Sequence, residues 1–199
     1  MRGRSALATL FVLAGVAVNA QADDPERKVE IGAGLAAIAV YDAGSTHVTM
    51  VGVPSDSFGP FSPVPPTIYA SFFPTPKLGL ETQAGFLSMS SRGSSFHVLT
   101  AGEQVDLFFK DRRQGSPYVL GRVFLLDRGS SDEGTDEVLG PPATHFAAGV
   151  GLGYRLPLGR RATFRVEGRF DHVFPKTLQY GEEPATDMFG AYVGIGIML

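Results

Sequence analysis

The sequence predicts an all-β protein: a single eight-stranded antiparallel up-and-down β-barrel that spans a membrane and is preceded by a signal peptide. The last twelve residues, 188–199, alternate strictly between apolar side chains and a row rich in glycine. Seven earlier segments share this two-residue period. After the N-terminus, no stretch stays apolar for the roughly 20 residues that a spanning helix needs. Glycines opposite a continuous apolar row suit a strand with lipid outside and a narrow, crowded lumen inside.

The N-terminus has the pattern of a secretory signal peptide. Two arginines precede an apolar run over residues 6–18, and residues 20–22, Ala-Gln-Ala, have the small-x-small form of a cleavage site. We therefore predict a signal peptide over residues 1–22 and a barrel domain over residues 23–199. Removing the two arginines changes the formal net charge from −3 to −5, and this acidic balance argues against nucleic-acid binding. The chain has no cysteine, which excludes disulfides and thiolate sites.

The first four predicted strands cover residues 28–41, 67–73, 77–90 and 96–110. The first places Glu30 on the row opposite its apolar side chains, whereas the second is short and weakly patterned. Glu81 lies on the polar row of the third strand, and Asp106 lies on that of the fourth. Because side chains alternate between the two faces of a strand, these three carboxylates are predicted to point into the barrel.

Glu103, in the fourth predicted strand, breaks this rule. Strict alternation places its carboxylate on the lipid face. A charge in that position costs up to a few kcal/mol near the membrane midplane. We therefore expect either that Gly102 forms a β-bulge or that Glu103 lies near an interface.

The last four predicted strands cover residues 118–126, 144–156, 161–174 and 188–199. The fifth is apolar almost throughout, and Arg122 orients it because a guanidinium group avoids lipid. The sixth alternates as cleanly as the last. The seventh carries Arg165, Glu167, Arg169 and Asp171 on one face, which requires a polar interior.

The predicted connections differ in length between the two ends of the barrel. At one end, short turns cover residues 74–76, 111–117 and 157–160. At the other end, three connections are long, over 42–66, 127–143 and 175–187, and one is short, over 91–95. Basic residues flank the short turns: Lys77, Lys110, Arg112, Arg113, Arg160 and Arg161. Acidic residues occupy two of the long loops: Asp132, Glu133, Asp136, Glu137, Glu182 and Glu183. Outer-membrane barrels combine short periplasmic turns with longer outer loops.

With these features the chain resembles the small eight-stranded outer-membrane barrels of the OmpA-like transmembrane family over residues 28–199. The resemblance rests on the eight strands, on Pro117-Tyr118, on the glycine-rich residues 149–154, and on the Arg-x-Glu-x-Arg face of the seventh strand. It implies a monomer inserted into the outer membrane of a Gram-negative bacterium by the assembly machinery, in contact with lipid and lipopolysaccharide. It also implies a salt-bridged lumen and roles in envelope integrity, adhesion or surface recognition.

The inward charges are predicted to form one buried network, because the interior of an eight-stranded barrel is just wide enough for side chains to meet. Its members are Glu30, Glu81, Asp106, Arg122, Arg165, Glu167, Arg169 and Asp171. The network is either a fixed plug or a gate whose ion pairs exchange. A wide aqueous pore is excluded, since that needs about sixteen strands.

The sequence predicts no catalytic, cofactor or metal site. Residues 32–37 match Gly-x-Gly-x-x-Ala, but the alternation continues through the glycines and no helix follows. His172 is similar to the lipid-facing histidine of barrels that deacylate lipid A, yet Phe174 occupies the position of their serine. Such an enzyme would need a serine or an acid beside His172 in space. No histidine or acidic residue shows metal-ligand spacing.

The first long connection, residues 42–66, is the best candidate for binding a surface partner. It carries apolar residues on a proline-restricted backbone, although packing over the barrel mouth explains that composition equally well. The main alternative for the whole chain is a secreted, soluble lipocalin-like barrel that binds an apolar ligand. That alternative requires the apolar rows to line a central cavity, which inverts every assignment above.

Overall fold

The computed structural model describes residues 28–43, 46–51, 65–91, 94–130, 143–178, 181–183 and 185–199. The predicted signal peptide, the acidic residues 132–137 and most of the first long connection lie outside these ranges. Within them, the one helical element is a 3₁₀ turn, Arg112–Gln114. No helix in the described ranges is long and apolar enough to cross a membrane.

The described strands are β1 (Val29–Ala43), β2 (Thr46–Val51), β3 (Thr67–Thr75), β4 (Leu78–Ser91), β5 (Ser94–Phe108), β6 (Ser116–Ser130), β7 (Ala143–Leu158), β8 (Ala162–Val173), β9 (Lys176–Leu178), β10 (Gly181–Glu183) and β11 (Thr186–Met198). Eight of them, β1, β3 to β8 and β11, form an antiparallel wall in sequence order, and β11 pairs with β1 to close it. The predicted eight-stranded antiparallel up-and-down barrel is confirmed.

The two ends of the barrel differ. At one end, here the turn end, the connections β3–β4, β5–β6 and β7–β8 are short. At the other, here the loop end, three additional strands lie within connections that were predicted to contain none. β2 pairs with the loop-end half of β1, and β9 pairs with β10. These strands have three to six residues, which is too short for a periodic pattern to show.

β3 is short because two prolines precede it. It meets β1 over the turn-end half alone, from Val29 to Gly34. Proline has no N–H to donate to a ladder, and Pro65 and Pro66 lie immediately before its first residue. In β1, a register shift between Ala36 and Ile38 interrupts the predicted strict alternation.

The outward rows of the wall are apolar and exposed. Leu152, Val150 and Ile195 are 67%, 60% and 59% exposed. An exception is Val29, the first residue of β1, which is buried. Contiguous exposed apolar surface on this scale marks an interaction surface rather than a water-facing wall. The soluble lipocalin-like alternative does not fit, because these side chains point away from the interior instead of lining a cavity.

The structure meets neither of the two expectations for Glu103. The ladder runs through Gly102 without a register shift on either side, so no bulge is present. A Cβ added at Gly102 would clash with the adjacent backbone of β6, so the close packing at this position requires glycine. Glu103 points outward near the middle of an apolar row that runs from Leu99 to Phe109, rather than at either end of it.

Candidate functional site

The interior of the barrel is filled by charged and aromatic side chains. The structure places all eight charged residues of the predicted network on the inner face, each from an inward position of its strand. It adds two arginines, Arg155 from β7 and Arg112 from the 3₁₀ turn. Among the described residues, five buried carboxylates therefore lie with five buried guanidinium groups. Unpaired buried ions are very costly, so their pairing determines what this interior can do.

The cluster nearest the turn end is built around Glu30. Its carboxylate forms an ion pair with Arg155. It also accepts hydrogen bonds from the Tyr69 hydroxyl at 2.9 Å and the Thr163 hydroxyl at 2.8 Å. Four strands, β1, β3, β7 and β8, thus meet at one carboxylate across the lumen.

The central cluster is built around Arg165. Its guanidinium donates to Glu81 at 2.6 Å and lies 3.5 Å from Glu167. It also stacks over the Tyr69 ring at 3.7 Å. Glu167 in turn accepts hydrogen bonds from Arg169 Nε at 2.6 Å and from the Tyr118 hydroxyl. Such charge-assisted hydrogen bonds are stronger than neutral ones.

Two glutamines connect carboxylates along one side of the lumen. Gln83 Nε2 donates to Glu81 at 2.5 Å and to Gln104 at 2.8 Å, and Gln104 donates to Asp106 at 2.8 Å. The Ser71 hydroxyl also donates to Glu81, at 2.6 Å. This arrangement satisfies buried carboxylate oxygens with neutral donors, as buried polar groups require.

The cluster nearest the loop end contains Arg122 and Asp171. Arg122 Nε lies 3.4 Å from Asp171 Oδ1, and its guanidinium lies 4.2 Å from the centre of the Phe124 ring. Arg169 stacks over Tyr192 at 4.3 Å. Cation–π contacts of this kind are strongest when the cation is desolvated.

Apolar side chains cover the charged clusters at both ends. The loop-end layer contains Val98, Phe124, Leu126, Ala147, Val173 and Met188. The turn-end layer contains Phe73, Phe108, Tyr118, Leu120 and Met198. The charged groups of the described lumen therefore lie between two apolar layers.

Arg112 lies in the interior of the barrel. The sequence places it among the basic residues that flank the short turns, but the residue is only 6% exposed. Its guanidinium lies 4.1 Å from the centre of the Phe73 ring and donates to Met198 Sδ at 3.8 Å. The turn folds under the barrel, so Arg112 closes the turn-end layer instead of facing solvent.

The inward residues that sequence reasoning left out of the network include three large ones, Tyr69, Tyr118 and Arg155. All three occupy inward positions, so alternation alone could have included them. The glycines opposite explain how such large groups fit. An added Cβ at Gly153 would run into the Tyr118 ring, and one at Gly32 would run into the Tyr69 ring.

The cavities among the described residues of the interior are small. Two cavities that reach the charged clusters, one beside Arg122 and one beside Glu167, have volumes of about 10 Å³ each. Each is about the size needed for one water molecule. In the described part of the chain, no group of three or more histidine, aspartate or glutamate side chains is placed to hold a metal ion.

His172 lies on the outer wall near the loop end. Its Nδ1 is 2.6 Å from Asp187 Oδ1, so the acid that an enzyme would need is present. The Phe174 ring packs edge-on against it, with ring centres 4.9 Å apart. Its other cross-strand neighbour is Ala148. Neither neighbouring strand therefore places a hydroxyl nucleophile opposite the imidazole.

No protein-family model matches this sequence, and no characterised protein has a significantly similar sequence. Solved structures are similar. The crystal structure of Neisserial surface protein A has a TM-score of 0.55 and 12% identity, over 86% of this chain and 96% of that chain. The structure of outer membrane protein AlkL in lipid bilayers has a TM-score of 0.47 and 14% identity, over 90% of this chain and 94% of that chain. Ail, the attachment invasion locus protein of Yersinia pestis, has a TM-score of 0.45 and 11% identity, over 86% and 97%.

At 12% identity, the similarity to Neisserial surface protein A concerns the fold alone. The fold shared with that protein is the closed barrel described above.

Proposed function

We propose that this protein is a non-enzymatic outer-membrane β-barrel of a Gram-negative bacterium, related to the OmpA-like small barrels, that contributes to envelope structure or surface interaction. Its lumen is plugged, so its wall and outer loops carry the function. One observation supports this most directly: a wall with an apolar exterior encloses charged groups that lie between two buried apolar clusters.

The outer wall matches a lipid environment. Exposed apolar side chains cover the strands, and aromatic pairs lie toward the loop end, where Phe146 stacks on Phe174 and Phe170 packs against Phe189. Outer-membrane barrels carry girdles of aromatic residues at the membrane interfaces. We infer that lipid and lipopolysaccharide are the immediate partners of this surface.

The lumen favours a fixed plug over a gate. Glu30, Glu81 and Glu167 each hold at least one arginine and at least one neutral donor at the same time. A gate must exchange such partners, and every exchange leaves a buried ion unpaired in passing. The apolar layers would also have to open before an ion reached the charged clusters.

Membrane fractionation of cells that express the full chain tests the location. We expect the protein in the outer-membrane fraction, with a gel mobility that changes when the sample is boiled, because a folded barrel resists detergent until heated. Recovery from the soluble periplasm without a heat-dependent mobility shift would contradict the proposal.

Conductance across planar lipid bilayers tests the plug. We expect no stepwise current from the inserted protein, with a sixteen-stranded porin as the positive control. Reproducible current steps from the wild-type chain would favour the gate.

A further inference from the structure

Glu103 is an ionisable side chain on the described outer wall, and it lies away from both ends of the barrel. It lies five residues before Phe108, the last residue of β5. With a rise of about 3.4 Å per residue and a tilt of about 40°, this places it roughly 13 Å from the turn end. An outer-membrane barrel presents an apolar band about 25 Å tall. The carboxyl group therefore lies close to the middle of the band.

The barrel itself satisfies only part of the hydrogen-bonding capacity of this carboxyl group. The Thr82 hydroxyl on β4 donates to both oxygens, at 3.1 Å and 2.9 Å. One proton is thus shared between two acceptors, and a carboxyl group has capacity for more hydrogen bonds. On the other side, the cross-strand neighbour is the apolar Val123. Unused polar capacity is expensive in hydrocarbon, where acyl chains offer neither donors nor acceptors.

Three small residues lie beside Glu103 on the outer wall, among larger apolar ones such as Val105 and Val123. Ala101 precedes it on the same row, Ala84 lies opposite Ala101, and Gly121 lies opposite Val105 on the next strand. A Cβ added at Gly121 would meet no atom within 4 Å, so the space above this glycine is open. Small residues let two membrane-embedded surfaces approach closely. We call Thr82, Ala84, Ala101, Glu103, Gly121 and Val123 the Glu103 patch.

We propose that the Glu103 patch is the contact surface for a second copy of this chain, with the two Glu103 carboxyl groups hydrogen-bonded to each other across a two-fold axis. Every inserted copy carries this group at the same depth. Hydrocarbon favours the protonated acid over the carboxylate, and two protonated acids are self-complementary, because each O–H donates to the other group's carbonyl oxygen. A two-fold contact uses the same patch on both partners. The inference rests on the proposed function, since insertion fixes the depth, and it departs from the monomer that the family resemblance implies.

Site-specific cross-linking tests this contact, because the chain has no cysteine and a single introduced thiol has no background. Ala101→Cys places the thiol within the patch. Ile195→Cys is the matched control, on the exposed row of β11, which lies opposite β5 in the strand order. Both full-length variants are inserted into phospholipid vesicles, oxidised, and analysed on gels without reductant. We expect disulfide-linked dimers from Ala101→Cys and few from Ile195→Cys.

Two substitutions in the Ala101→Cys chain test the role of the carboxyl group. Glu103→Leu should weaken association roughly five- to thirty-fold, the equivalent of about 1–2 kcal/mol of hydrogen bonding in a membrane. Glu103→Gln should retain most of the dimer, because two amides can also pair. Loss of a cross-link through misfolding is identified by the boiling-dependent mobility shift, which each variant must show.

The outcomes separate the two proposals. A wild-type chain that inserts and shifts on boiling, but whose Ala101→Cys form gives no dimer, overturns the contact alone. Equal cross-linking from both cysteine positions overturns it too, as does cross-linking that Glu103→Leu leaves unchanged. A wild-type chain that fails to insert overturns the proposed function and this contact with it.

Discussion

Arg165 is the residue whose loss should most disturb the interior. Arg165→Met keeps a long side chain but removes the guanidinium that lies 2.6 Å from Glu81 and 3.5 Å from Glu167. Glu167 keeps Arg169, whereas Glu81 keeps only the neutral donors Ser71 and Gln83 among the partners described above. The substitution therefore leaves one buried carboxylate without its cation.

Breaking a buried ion pair in this way costs about 3–5 kcal/mol. A Coulomb energy of about 4 kcal/mol for charges 4 Å apart at an effective dielectric constant of 20 agrees with that range. Because two neutral hydrogen bonds remain on Glu81, we expect the lower half. Glu81→Gln should cost somewhat less, because Arg165 keeps Glu167 at 3.5 Å. The double variant removes both charges and leaves neither unpaired. We therefore expect it to lose about 2–3 kcal/mol less than the sum of the two single losses.

The assay is urea unfolding of the barrel in phospholipid vesicles. The chain has no tryptophan, so the folded fraction is followed by circular dichroism and by gel mobility without boiling. Arg113→Met is the control, because this arginine pairs with Asp111 in an exposed turn and its loss should cost under about 1 kcal/mol. The reasoning is refuted if Arg165→Met lowers the free energy of unfolding as little as the control does and the losses from the two single substitutions are additive.

Three further predictions follow from packing, charge and chemistry. Gly153→Ala pushes a methyl group into the aromatic ring beneath it and should destabilise the barrel by about 1–3 kcal/mol, whereas Gly168→Ala enters open space and should not destabilise it measurably in the same unfolding assay. In the turn, hydrogen bonds from Arg113 lower the pKa of Asp111 from 3.8 to about 2, so its charge stabilises the folded state above pH 3.8 and this contribution is lost as the pH falls to 2. Asp111→Asn should thus be less stable than wild type at pH 7, by under about 1 kcal/mol because the pair is partly exposed, and equal to it once the pH is below 2; a constant difference would contradict this. His172→Ala should leave the lipid A acyl chains unchanged by mass spectrometry, and any gain of acyl chains on this substitution would reinstate the enzyme alternative.

The alternation in the sequence was enough to assign faces, as the seventh predicted strand shows. Arg165, Glu167, Arg169 and Asp171 all point inward in β8, as expected. This succeeds because the pleat of a strand is local: neighbouring side chains must leave on opposite sides, whatever the rest of the chain does. The short β2 had no such pattern and was missed.

What the sequence by itself determined is therefore the number of strands in the wall and which side chains face inward. Only the tertiary structure decided which of them meet. Glu30 and Thr163 are 133 residues apart and become partners only when β11 pairs with β1 and closes the wall. Alternation with a period of two specifies which side of the wall a side chain faces, but not its height along the barrel axis. Height follows from the register between strands and from closure, which are non-local and are decided by the packing of the whole lumen.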